Sequence, residues 1–321
     1  MTWAEDDWER HEPVVQLSRD EVASLVGFVP TAVTLLTGGK ANTHWRARGP
    51  AGEDRVLRIT QRDPASAARE ALLWPRVAPH VPIPRVHGHG TTSAGLPVAV
   101  LDFVDGVHPA AVLTEHPEEA LGVGRALGRT LAGLTAVPVG PMGLYAPDLS
   151  LARRFDTVAD SFVDLITWSL REGRARRRLG PERVAAVRGV LDAAAAELAP
   201  LDAHPALAHG DYKSPNLLLR RDGDGWRVAA VLDWEFACPF TPLLDIAILM
   251  RHRDRFPPSL QEGFAEGYAE RAWLPDDWRR LSRIVDWMNL VGFLNASGDR
   301  PRLYAAVTDL LMDSVATVRC R

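Results

Sequence analysis

Lysine is almost missing from this chain. Of its 37 basic residues only Lys40 and Lys213 are lysine, and all the others are arginine. Such a skew goes with GC-rich coding, so a lysine that remains is a candidate for a role that needs a compact ammonium and not a planar guanidinium fork. Cysteine is just as scarce: Cys238 and Cys320 cannot form a disulfide scaffold or a structural zinc site, and both read as packing or surface residues. No uncharged run approaches the roughly 18 residues of a membrane helix. The first seven residues are acidic where a secretory signal would be basic and then apolar, so the expectation is a cytoplasmic protein with no membrane partner. Neither sign of charge dominates. With 37 basic and 41 acidic side chains and a net charge of -4, nothing points to a nucleic-acid partner.

What is present fits a folded protein: 46% hydrophobic and 24% charged residues over 321 positions. Single cores stop growing at roughly 250 to 300 residues, so the chain suits one large unit or two lobes. Chemistry concentrates in one window, His209-Gly210-Asp211-Tyr212-Lys213-Ser214-Pro215-Asn216, followed by an apolar run and, 17 residues beyond the Asn, by Asp233 in Val-Leu-Asp-Trp-Glu. That set suits phosphoryl transfer. Asp211 can accept a hydroxyl proton, Lys213 can balance charge on the moving phosphoryl, and Asn216 and Asp233 offer hard oxygens to Mg²⁺. Strands over 217–220 and 227–232, joined by the turn Asp222-Gly223-Asp224-Gly225, would return Asp233 to the neighbourhood of Asn216. If the second strand continued, Glu235 would point the same way as Asp233, as a further metal, water or substrate contact.

The window resembles the catalytic loop and metal-binding strand of the aminoglycoside phosphotransferase-like kinases, the branch of the protein-kinase-like superfamily that includes choline and homoserine kinases. The resemblance implies an α+β, bilobal protein-kinase-like fold with a small β-rich N-lobe and a larger, mostly helical C-lobe. It makes Asp211 the catalytic base, Asn216 and Asp233 the magnesium ligands, His209 a loop-shaping residue and Asp245 a brace beneath the loop. It also implies ATP as donor, with GTP left open, and a small-molecule hydroxyl acceptor.

Upstream, Ser18-Arg19-Asp20-Glu21 forms a capping box for a short leading helix. Strand-like runs at 32–36 and 43–48 flank Gly38-Gly39-Lys40, a turn whose backbone N–H groups could approach a phosphate. A further strand, 55–60, carries Arg58, and a helix over 65–78, interrupted near Pro75, carries Glu70. By resemblance these stand where a kinase strand Lys and its helix Glu grip the nucleotide phosphates. Arg replaces Lys here, and a guanidinium can still contact phosphate and carboxylate together. The apolar strand 96–101 ends at Asp102-Phe103-Val104-Asp105-Gly106, which resembles the interlobe hinge whose backbone binds adenine. The expected division is therefore an N-lobe at 1–101, a hinge at 102–106 and a C-lobe at 107–321.

In the second part, 118–137 reads as a helix and 138–147 as a Pro-Gly linker. Residues 151–170 read as one helix with Asp156, Asp160 and Asp164 opposite its apolar stripe. That acidic face is either an attractor for a cationic acceptor or an ordinary solvated surface. An apolar helix at 242–250 contains Asp245, and helices over 260–271, 277–295 and 302–318 close the chain. Asp286, Trp287 and Asn289 are candidates for shaping an acceptor pocket. The expected activity is an ATP- and Mg²⁺-dependent O-phosphotransferase acting on an aminoglycoside-like or other antibiotic, in resistance or self-protection. A metabolite kinase, a protein kinase and a catalytically silent nucleotide-binding module are its rivals.

Overall fold

The computed structural model describes residues 12–37 and 41–319. Its first element, α1 (Arg19–Val26), is capped as the sequence requires: Ser18 Oγ accepts the Glu21 N–H at 3.1 Å, and Gly27 ends the helix in a left-handed conformation. Substituting Ser18 by Ala should cost about 1 kcal/mol, read as a small fall in the denaturant midpoint at unchanged slope.

Five antiparallel strands follow: β1 (Ala32–Leu36), β2 (Thr43–Arg48), β3 (Asp54–Ile59), β4 (Val86–Thr91) and β5 (Pro97–Asp102), arranged in the order β1-β2-β3-β5-β4. Helix α2 (Pro64–Val77) connects β3 to β4, and it runs through Pro75 without the expected interruption. The register gives the sheet two chemically distinct faces. Trp45, Leu57 and Val100 stand opposite one another, and Trp45 and Leu57 with Ala47, Ile59, Val98 and Val22 of α1 build a small outer core. On the other face His44, Arg58 and Ala99 are neighbours, and Ala99 and Leu101 join the main core together with Leu73 and Trp74 of α2. Strand alternation therefore aims Arg58 inward, toward the rest of the chain.

The remainder is mainly helical: α3 (Pro109–Glu115), α4 (Ala120–Gly133), α5 (Val158–Arg171), α6 (Arg174–Arg188, broken at Gly180), α7 (Leu191–Glu197), α8 (Leu243–Met250), α9 (Pro258–Ala269), α10 (Trp278–Val285), α11 (Trp287–Asn295) and α12 (Pro301–Arg319). Short pairs of strands are set among them: β6 (Gly143–Tyr145) with β7 (Leu151–Arg154), β8 (Ala206–Ala208) with β11 (Cys238–Phe240), and β9 (Leu217–Asp222) with β10 (Gly225–Val231). This is the bilobal, kinase-like α+β architecture. Helices α4 and α9 approach closely enough that a Cβ on Gly128 would lie 2.2 Å from the Phe264 carbonyl oxygen, so only glycine permits that packing.

Three local expectations change. The linker-like 138–147 and the start of the expected helix 151–170 instead form the β6–β7 hairpin, and α5 begins only at Val158, capped by Thr157. The reason lies in the turn. Asp148 accepts from the backbone N–H and hydroxyl of Ser150, and Leu149 is left-handed at φ 63°. The segment 277–295 is two helices that meet at Asp286, and β10 stops at Val231, before Asp233.

Candidate active site

The catalytic-type loop hangs between β8 and β9 and is held from several sides. Beneath it, Asp245 in the first turn of α8 is wholly buried and accepts the backbone N–H groups of His209 (2.6 Å) and Gly210 (2.9 Å). Burial pushes its carboxyl up to about 7, with the two N–H bonds pulling the other way. Gly210 is left-handed at φ 78°, and a Cβ there would lie 2.6 Å from the Phe236 carbonyl oxygen, so glycine is required at this step. Tyr212 is buried and donates to the Leu127 carbonyl of α4 at 3.0 Å.

His209 shapes the loop as a neutral ring. Burial lowers its pKa to about 4, its Nε2 donates to the Leu232 carbonyl (3.0 Å), and its Nδ1 accepts the Asp211 N–H (3.2 Å). Its ring also meets the edge of the buried Trp234 at 4.6 Å between centroids. One imidazole thus spans the loop and the segment carrying Asp233.

The reactive side chains converge on this frame. Lys213 Nζ lies 3.0 Å from Asp211 Oδ1, and Asn216 Nδ2 donates to the backbone oxygen (2.9 Å) and Oδ2 (2.8 Å) of Asp211. Burial pushes the Asp211 carboxyl up, and Lys213 pulls it back. The hairpin brings its second strand home as expected, with Leu232 N–H donating to the Asn216 carbonyl at 2.8 Å. Asp233 follows at once at a positive φ of 64°, a conformation that few residues with a Cβ adopt, aspartate among those that tolerate it better.

Arg58 joins the two lobes. Its Nη1 donates to both oxygens of Glu70 (3.0 and 2.9 Å), as the sequence suggests, and its Nη2 reaches Asp233 Oδ1 at 2.5 Å, which the sequence does not suggest. Burial alone would lower the Arg58 guanidinium, but the carboxylates of Glu70, Asp233 and Glu235 outweigh it and raise its pKa. Burial likewise works to raise Asp233, and the attraction of Arg58 wins, so that carboxyl stays below its ordinary value.

Glu235 does not extend a strand beside Asp233. It is buried, paired with Arg62, and pushed up to about 7 by desolvation and then by Asp233. Its Oε2 has no hydrogen-bond partner among the described residues. A buried carboxylate oxygen without a described partner two residues from Asp233, with the side-chain oxygen of Asn216 on the loop, is a hard-oxygen donor set that fits a divalent cation.

The hinge-like segment is tied to the same loop. Val107 and Leu219 exchange backbone hydrogen bonds (2.9 and 2.7 Å), Ala110 N–H donates to Ser214 Oγ (2.8 Å), and His108 Nδ1 lies 3.0 Å from the Leu217 carbonyl oxygen. Asp102 is held by Arg55 and His87, the Phe103 N–H donates to the Asp54 carbonyl at 3.1 Å, the Phe103 ring lies 3.3 Å beneath the Arg46 guanidinium, and Val104 is half-buried. The expected phosphate turn, Gly38, Gly39 and Lys40, lies outside the described residues.

Asp156 precedes α5 and pairs with Arg154, while Asp160 is exposed in the first turn of that helix. Asp286 is buried against Arg251 (2.8 Å) and Asn289 (3.2 Å) beside a cavity of about 50 Å³. Trp287 has no exposed surface, and its Nε1 donates to Ser314 Oγ at 2.7 Å, so it is a core side chain and not an acceptor contact. Sequence reading passed over Arg62 and Arg69, both of which hold residue 235. In an arginine-rich chain nothing local distinguishes an arginine that holds a distant segment from one left to solvent.

Residues 32–283 match the phosphotransferase enzyme family, APH. The chain belongs to that family. This APH-family chain is therefore a phosphotransferase with an alcohol group as acceptor, and its substrate is a small molecule. Similar solved structures include a putative fructosamine-3-kinase from Thermobifida fusca (22% identity, TM-score 0.66, 94% of this chain and 98% of the other). Others are the macrolide 2'-phosphotransferase MphH from Brachybacterium faecium (21%, 0.64, 90% and 96%) and a thermostable mutant of aminoglycoside phosphotransferase APH(4)-Ia (18%, 0.64, 94% and 96%). A further mutant of the last was solved as a ternary complex with ADP and hygromycin B. No curated protein sequence matches the chain.

Proposed function

We propose that this APH-family enzyme transfers the γ-phosphoryl group of ATP, with Mg²⁺, to a hydroxyl of an aminoglycoside-like or other antibiotic. The observation that carries the chemistry is the single constellation of Asp211, Lys213, Asn216, Asp233 and Arg58. Asp211 orients the acceptor hydroxyl and takes its proton as the new P–O bond forms; Lys213 offsets charge on the phosphoryl group in transit. Arg58, held by Glu70, contacts the nucleotide phosphates, Gly38, Gly39 and Lys40 cover them, and residues 102–106 form the hinge that takes the base. Asn216 and Asp233, with Glu235 beside them, would hold the metal, which supplies neutralisation of phosphate charge when bound. The ADP and hygromycin B bound by one structural relative, and the macrolide acceptor of another, support the nucleotide and antibiotic assignments.

A metabolite kinase is the second reading, favoured by the likeness to the putative fructosamine-3-kinase. A protein kinase is disfavoured by the chain itself. Only residues 234–242 separate Asp233 from α8, too few for an activation segment. Acceptor-dependent ADP release should be measured on two panels, hydroxylated antibiotics and sugar-amine or amino-alcohol metabolites. Release with an antibiotic supports the first reading; release confined to the metabolites replaces it with the second.

A further inference from the structure

Asp233 sits in a backbone conformation that costs free energy for any residue with a Cβ, and such a conformation persists only where its surroundings over-determine it. From the C-lobe side the restraint is Trp234, buried and donating from Nε1 to the Val231 carbonyl at 3.1 Å. From the N-lobe side it is arginine. Arg69 of α2 donates from Nη2 to the Glu235 carbonyl (2.5 Å) and from Nη1 to the Tyr145 carbonyl of β6 (3.4 Å). Arg62, just beyond β3, pairs with the Glu235 carboxylate, and its guanidinium lies 5.0 Å from the centre of the Phe236 ring. The proposed chemistry uses neither residue, yet both are spent on the turn that carries Asp233.

We propose that Arg62 and Arg69 are positioning residues that clamp residues 233–235 to the N-lobe and thereby set the metal affinity of Asp233. A guanidinium on the Glu235 carbonyl fixes the plane of the 235–236 peptide, and with Arg58 on Asp233 the short backbone between them is anchored at both ends. Because Arg69 also holds β6, the clamp joins three elements that are remote in sequence: α2, the 233–235 turn and the β6–β7 hairpin. A shift of the N-lobe is then transmitted to the metal-holding carboxylate through the backbone as well as through Arg58. The metal half of this inference rests on the reading of Asp233 given above.

The test uses the full-length protein and its Arg69→Met and Arg69→Lys variants, with two readouts. The first is amide hydrogen exchange of residues 233–237 without metal or nucleotide; the second is Mn²⁺ affinity by electron paramagnetic resonance. Arg69→Met should speed exchange about tenfold and weaken Mn²⁺ binding about 10- to 100-fold, the range found when an outer partner of a metal ligand is removed. Arg69→Lys keeps one donor and should fall between. Exchange within twofold of wild type in Arg69→Met would overturn the clamp. Faster exchange with unchanged Mn²⁺ affinity would overturn its link to the metal. Wild-type protein that binds no Mn²⁺ would overturn the metal reading of Asp233, while the exchange arm still decides the clamp. Should Arg69→Met fail to fold, Arg69→Lys gives the same two readouts, with wild-type exchange again overturning the clamp.

Discussion

Replacing Asp211 by Asn is expected to lower kcat/KM by a factor of about 10² to 10⁴ while leaving the fold intact. The substitution is nearly isosteric, so the loop keeps its braces at Asp245, His209 and Tyr212. What it loses is basicity. An amide cannot take the acceptor's proton, and it also removes the charge that holds Lys213 at 3.0 Å. Lys213 would then be free to shift, which compounds the loss. Coupled ADP release under single-turnover conditions isolates the chemical step, and circular dichroism checks the fold; turnover within threefold of wild type would remove Asp211 from the role of base.

Replacing Asp245 by Ala should act on the scaffold. It strands the buried N–H groups of His209 and Gly210, each at a cost of about 1–3 kcal/mol, so the expected loss is roughly 2–6 kcal/mol of a total near 5–15 kcal/mol. Urea denaturation should show this as a lower midpoint at similar slope. The same side chain predicts a pH dependence. Its folded-state pKa is about 7 against an ordinary 3.8, so between these values the folded protein holds a proton that the unfolded chain has lost. Stability from this group is therefore greatest below about pH 4, falls as pH rises toward 7, and is level above. Glu235, also raised to about 7, acts in the same direction. Asp245→Ala should flatten the decline between pH 4 and 7 without abolishing it; an unchanged slope would contradict the assignment.

The parts of the fold that were legible in sequence are those where local pattern and tertiary packing agree. The strand carrying Arg58, the Ser18 cap and the hairpin at 222–225 are all of this kind. Each depends on near neighbours in sequence. The β6–β7 hairpin was not legible, because Leu151, Phe155 and Val158 fit a helical stripe equally well, and a single left-handed Leu149 decides between the two. The reach of Arg58 to Asp233, 175 positions away, was equally hidden, since only the stacking of the lobes creates it. Of the acidic residues near 156–164 only Asp156 leaves the expected face, because α5 starts at Val158, while Asp160 and Asp164 stay exposed one turn apart on the helix. Trp287 was assigned to a pocket and lies in the core, where its indole N–H finds Ser314.

If the constellation works as proposed, it moves a phosphoryl group from nucleotide to a small-molecule hydroxyl. The most direct measurement is transfer of label from γ-labelled ATP, with Mg²⁺, to a mixed panel of hydroxylated antibiotics and metabolites, followed by mass spectrometry. One labelled small molecule carrying a single added phosphoryl group is expected, formed in step with ADP and lost in Asp211→Asn. Label confined to protein, or no labelled small molecule from any member of the panel, would contradict it.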